Sequence, residues 1–134
     1  MSLLDTEDII KQEPINIQSL QEMGFHGIPY SYASGGMLYI LNLTFVSEFT
    51  TSKLSYLYIH TDGNEFHIRF ECCEFYHERN ALKYPIDVYK MYLKYKRWMK
   101  IKYIEDIRMV FYAISNIFEI NNCQLKVTST WQQL

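Results

Sequence analysis

Residues 56–75 read YLYIHTDGNEFHIRFECCEF, and the way they alternate decides the fold. Asp62-Gly63 stands between two runs rich in aromatic and β-branched residues, a strong short-range signal for a β-hairpin. Taken as the centre of a two-residue turn in Thr61-Asp62-Gly63-Asn64, it predicts that Ile59 opposes Phe66, Leu57 opposes Ile68 and Ser55 opposes Phe70. Successive side chains point to opposite faces of a strand. The same register therefore sets His60 against Glu65, Tyr58 against His67 and Tyr56 against Arg69 on the second face. A two-stranded ribbon with one apolar face is marginal alone and has to pack on something.

The flanking sequence supplies the partners. Strand patterns cover 37–46, 54–61 and 65–73. After Pro85, a favourable first-turn residue, Val88, Met91, Tyr92, Tyr95, Trp98 and Met99 recur at helical spacing and predict one amphipathic helix. Ile104, Ile107, Val110, Phe111, Ile114, Ile117 and Phe118 predict a second, with Glu105 and Asp106 at the favourable end of its dipole and Asn121-Asn122 as its stop. Cys123, Leu125 and Val127 alternate with polar residues as a last strand, with Trp131 as a late anchor. Toward the N-terminus, Thr6 caps a turn through Ile10, Pro14 interrupts, and Asn16 caps a short helix ending near Met23 with Gly24 as its stop. The stretch GFHGIPYSYASGG at 24–36 reads as a link. The fold expected is one α+β domain spanning 1–134: an antiparallel sheet, a meander of about three strands plus a C-terminal strand, packed against two amphipathic helices with a short helix ahead of it.

At 134 residues, one core can bury about two thirds of the unfolded surface. With 49% hydrophobic and 21% charged residues, the chain has a globular composition rather than that of a disordered tail. The formal net charge of −2 conceals a division: twelve acids and five bases in residues 1–89, three acids and eight bases in 90–134. Such bipolarity steers charged partners. No apolar run reaches the roughly 18 residues of a membrane span, and the acidic start MSLLDTEDIIKQEP lacks the order of a secretory signal. A cytoplasmic protein without membrane contact is expected. Three cysteines, Cys72, Cys73 and Cys123, make a poor disulfide framework and agree with that compartment.

No residue set assigns a reaction. His67, Cys72, Cys73 and His77 are close in sequence but lack metal-ligand spacing, and His67 and Cys72 fall on opposite strand faces. No metal or cofactor is expected. His60, His67 and Arg69 could move protons, yet no Gly-rich phosphate loop, G-x-S-x-G elbow or H-E-x-x-H helix accompanies them, so the chain reads as a non-enzyme. Lys90, Lys94, Lys96, Arg97, Lys100 and Lys102 crowd one segment without an acid, and Lys90, Lys94 and Arg97 line one side of the predicted helix. That face is suited to tracking phosphates, against an overall pI near 6.1. The opposite feature is acidic: Glu65, Glu71, Glu74 and Glu78 run along and past the hairpin, beside His67 and Arg69. With Tyr56 and Tyr58 supplying contact area, these residues form the predicted docking surface for a basic partner protein.

Small size, an α+β pattern, an acidic tyrosine-bearing sheet face, no catalytic motif and abundant Ile, Tyr, Lys and Asn together resemble bacterial immunity proteins. The resemblance implies an antitoxin that binds a cognate toxin, commonly a basic nuclease, and blocks its active site or substrate entry. It rests on general character, so no site residue comes from it. Two other readings stand beside it: a nucleic-acid-binding or regulatory protein using residues 90–102, and an acidic secretion chaperone, whose order of helices and strands fits less well.

Overall fold

The computed structural model describes residues 12–30, 36–48 and 50–128, and the hairpin stands at the centre of a six-stranded antiparallel sheet. Its arms are β3 (Thr50–Thr61) and β4 (Phe66–Cys72). The other strands are β1 (His26–Tyr30), β2 (Gly36–Ser47), β5 (Met99–Ile101) and β6 (Cys123–Val127). Their order is β1-β2-β3-β4-β5, and β6 also pairs with β2. β1 takes the Gly36–Ile40 half of β2 and β6 the Leu43–Ser47 half, so two short strands share one long edge. Four helices are described: α1 (Ile17–Glu22), α2 (Glu78–Ala81), α3 (Ile86–Tyr95) and α4 (Ile104–Ile120). The α+β class expected from the sequence is the class observed. None of the described helices is long and apolar enough to cross a membrane.

The apolar face of the hairpin carries the core. Leu57, Ile59, Ile68 and Phe70 are fully buried beside Leu43 and Phe45 of β2, and each such side chain stabilises the fold by about 1.5–3 kcal/mol relative to exposure. The covering layer is α3 and α4, whose stripes present Val88, Met91 and Tyr92 and Ile107, Ile114 and Phe118. The Phe118 ring centre lies 4.9 Å from Phe45 and 6.0 Å from Phe70. α4 starts where the Asp106 carboxylate accepts the backbone N–H groups of Lys102 and Tyr103, both at 2.8 Å, which satisfies donors that a helix start leaves open. It stops at Asn121, followed by Asn122 at φ 61°. Asn16 caps α1 by accepting the Ser19 N–H at 2.8 Å, and Gly24 follows at φ 101°.

Three expectations need correction. The hairpin register is displaced by two residues: Tyr56 opposes Glu71, Leu57 opposes Phe70, Tyr58 opposes Arg69, Ile59 opposes Ile68 and His60 opposes His67. Asp62 is the cause. Its carboxylate accepts the N–H groups of Asn64 (2.9 Å) and Glu65 (3.1 Å), while Thr61 Oγ1 accepts that of Gly63 (3.0 Å), and these bonds close a four-residue loop. Only Gly63 has positive φ there, whereas the two-residue turn requires it at Asp62 as well. A shift of two leaves every side chain on its predicted face.

The predicted helix over 88–99 ends at Tyr95. Met99 and Ile101 instead pair β5 with Ile68 and Phe66 of β4, and Trp98 stands in the turn between. The stretch read as a link contains β1, where Gly27 lies under the Tyr39 ring: a Cβ there would come within 2.7 Å of a ring carbon. The Thr6 turn and Trp131 lie outside the described residues.

Candidate functional site

Alternation leaves the second face of the sheet to Tyr56, Tyr58 and His60 of β3, His67, Arg69 and Glu71 of β4, and Leu38, Ile40 and Asn42 of β2, all partly exposed. No described helix lies over it. One element reaches it from outside: the turn after α3 brings Trp98 against the sheet, and the indole remains 40% exposed.

Arg69 is the hub of this face. Its guanidinium carbon lies 5.1 Å from the centre of the Tyr58 ring and 5.2 Å from that of Trp98. Nη1 donates to Glu71 at 2.6 Å and reaches the Lys96 carbonyl at 3.5 Å. Tyr56 stacks on Tyr58 with ring centres 5.6 Å apart and planes 14° from parallel. His60 stands 6.0 Å from Trp98. Tyr76 hydrogen-bonds Glu71 from beyond the strand, and burial together with that bond raises its phenol above the usual range. Burial raises the Tyr58 phenol too, with Arg69 opposing. Neutral phenols, one paired cation and one paired carboxylate result, a surface that is largely charge-balanced.

The eight predicted partner-binding residues divide. Tyr56, Tyr58, His67, Arg69 and Glu71 share the open face. Glu65 lies at its rim, 3.0 Å from Lys100 and 4.0 Å from His67. Glu74 does not belong there: β4 ends at Cys72, and the 3₁₀ turn Cys73–Phe75 carries Glu74 inward, where it is buried and accepts the Tyr84 hydroxyl at 2.6 Å. Glu78 is exposed but sits in the first turn of α2, past the strand. The acidic pad expected from the sequence is therefore a mixed one, with Glu71 paired to Arg69 and Glu65 to Lys100.

Residues that sequence reading did not place on this face are Trp98, Tyr76, Lys100 and the β2 residues Leu38 and Ile40. Alternation in 37–46 carried the signal for the last two; Trp98 was absorbed into the helical stripe. The predicted basic helix face is likewise divided, with Lys90 and Lys94 on α3 and Arg97 in the turn beyond it. Among the described residues no group of three His, Cys, Asp or Glu side chains is placed to hold a metal ion. Burial pushes the Cys72 thiol up to about 12. No family model matches the chain, and neither a curated protein nor a solved structure is found similar to it.

Proposed function

We propose that this chain is an immunity protein of the cytoplasm, which holds a cognate bacterial toxin on the outer face of its sheet and blocks it by occupying its working surface. The observation that carries the reading is the Tyr58–Arg69–Trp98 cluster, one cation over two rings on a face that no described helix covers. Trp, Tyr and Arg are the residues that dominate binding energy when they are held rigid and desolvated by a partner. Sheet strands and the Glu71 bond hold them before contact, which lowers the ordering cost of association. The recognition is chiefly aromatic, with Glu71 kept on Arg69 and Glu65 at the rim exchanging Lys100 for a cation of a basic toxin. Free Cys72, Cys73 and Cys123 suit a reducing compartment.

The test has two arms. The chain is isolated in its native complex and the co-purifying protein identified; that protein is then produced alone and titrated with wild type and Trp98→Ala. The reading expects a toxin whose killing is suppressed by the wild-type chain, with binding weakened by about 2 kcal/mol or more in the variant. A nucleic acid in place of a protein, or equal binding by the folded variant, would overturn it.

A further inference from the structure

The helix layer carries a second surface, independent of the sheet face. Between α3 and α4 runs a groove in two consecutive stretches of about 560 and 490 Å³, which share Lys94, Tyr95 and Ala113. Its floor is apolar: Met91, Ile101 and Val110 are buried there, with Met99 and Ile117 partly so. Its walls are cationic, with Lys90 and Lys94 from α3 and Lys102 from the segment before α4. No carboxylate forms an ion pair with these three lysines among the described residues. The acids of the groove do not offset them equally: Asp106 is engaged by two backbone N–H groups, and Asp87 sits in the first turn of α3, where the helix dipole favours it. On the α4 side the wall ends in Met109, 62% exposed. A methionine at such a rim adapts its shape to an apolar partner.

From Asp106 to Ile117 the groove follows α4 for about 16 Å at 1.5 Å per residue, the length of a three-turn helix. Lys94 and Lys102 lie over the Tyr95 and Tyr103 rings at 5.3 and 5.5 Å, contacts that leave their charge open to carboxylates, and an apolar floor of helical length between such ammonium groups has the chemistry of a helix-in-groove site. A phosphate backbone would satisfy the lysines yet leave Met109, Ala113 and Ile117 uncovered. We infer that the α3–α4 groove binds an acidic amphipathic helix of a partner protein, its apolar stripe on Met109, Ala113 and Ile117 and its carboxylates on Lys90, Lys94 and Lys102.

The probe is a fluorescein-labelled, lactam-stapled peptide of about 14 residues, with Leu at helical i, i+3, i+4, i+7 spacing and Glu elsewhere. A scrambled peptide of the same composition and labelled oligo-dT serve as comparisons, and fluorescence polarisation reads binding to the full chain. The amphipathic probe is expected to bind at about 100 µM or tighter and at least about tenfold better than the scramble. Lys90→Glu with Lys94→Glu should weaken it about tenfold, Ala113→Trp should block it, and Trp98→Ala should leave it unchanged. If Ala113→Trp fails to fold, the exposed double lysine variant still decides. Equal binding of the scramble, indifference to the lysine reversals, or tighter binding of oligo-dT would overturn the inference. So would sedimentation showing that the lysine reversals dissociate a dimer, because a second copy would then occupy the groove.

Discussion

Arg69 and Trp98 are joined across the sheet face, guanidinium carbon to indole centre at 5.2 Å, and this contact ties β4 to the turn that ends α3. A cation over an indole is worth about 0.5–1 kcal/mol where it is exposed and more once desolvated. In the free protein the pair therefore adds little stability. Covered by a partner, it adds more.

Trp98→Ala should consequently separate folding from binding. Thermal unfolding is expected to register a loss of about 1 kcal/mol or less, while a binding titration loses about 2 kcal/mol or more. Arg69→Lys should weaken binding as well, because a point-charge ammonium cannot face both rings and bond Glu71 in the way a planar, five-donor guanidinium does. Equal losses in stability and binding would assign the pair a structural role only.

Glu74 and Tyr84 form a buried pair at 2.6 Å. Tyr84→Phe removes the hydroxyl donor and leaves the carboxylate in apolar surroundings, so urea unfolding should show about 1–3 kcal/mol of destabilisation. Glu74→Lys is expected to prevent stable folding, whereas Glu71→Lys, on the partly exposed face, should fold. Circular dichroism distinguishes the two reversals.

Gly27 has no room for a methyl group. The Tyr39 ring is 3% exposed and cannot swing away from a Cβ at 2.7 Å, so Gly27→Ala should cost about 1–3 kcal/mol by overpacking. The double variant with Tyr39→Leu should recover part of that loss. Differential scanning calorimetry measures both.

Alkaline pH should unfold the protein cooperatively. Burial raises the phenols of Tyr84 and Tyr92 above their ordinary 10.0, and the Cys72 thiol from 9.0 to about 12. The folded state thus keeps protons that the unfolded chain releases. The stabilisation is complete below about pH 9 and is lost as pH rises past 9 and 10 toward the folded values. In a spectrophotometric titration, tyrosinate absorbance from the buried phenols should appear together with the loss of near-ultraviolet dichroism, and not as an earlier independent step.

The faces of the sheet were legible in the sequence because alternation depends only on parity. Leu57, Ile59, Ile68 and Phe70 are inside and Tyr56, Tyr58 and Arg69 outside, as the pattern requires. Which residues oppose one another was not legible, since it depended on where the Asp62 carboxylate chose to bond. That detail put Arg69 beside Tyr58 and so created the cluster. Trp98 was misread for a related reason: from Val88 to Met99 helical spacing persists, and nothing like Gly or Pro marks the exit after Tyr95. Pairing of Met99 and Ile101 with β4 outweighs that local periodicity. Glu74 was placed on the acidic face against parity: it alternates with Phe70 and Cys72, and the 3₁₀ turn leaves it on the inner side. β1 was hidden by Gly27 and Pro29, residues poor in strands generally but compatible with an edge.

The shared edge of β2 carries a consequence for how the chain matures. β6 is the last described strand to leave the ribosome, and its union with β2 spans most of the molecule, as in the Thr44–Thr128 hydroxyl contact at a separation of 84 residues. Until it docks, Leu43–Ser47 presents bare amides and carbonyls to its neighbours, an adhesive seam on a nascent protein. Synthesis must therefore run past Val127 before that seam is closed from within, and a product stalled or truncated before β6 would be the species most prone to cling to other chains.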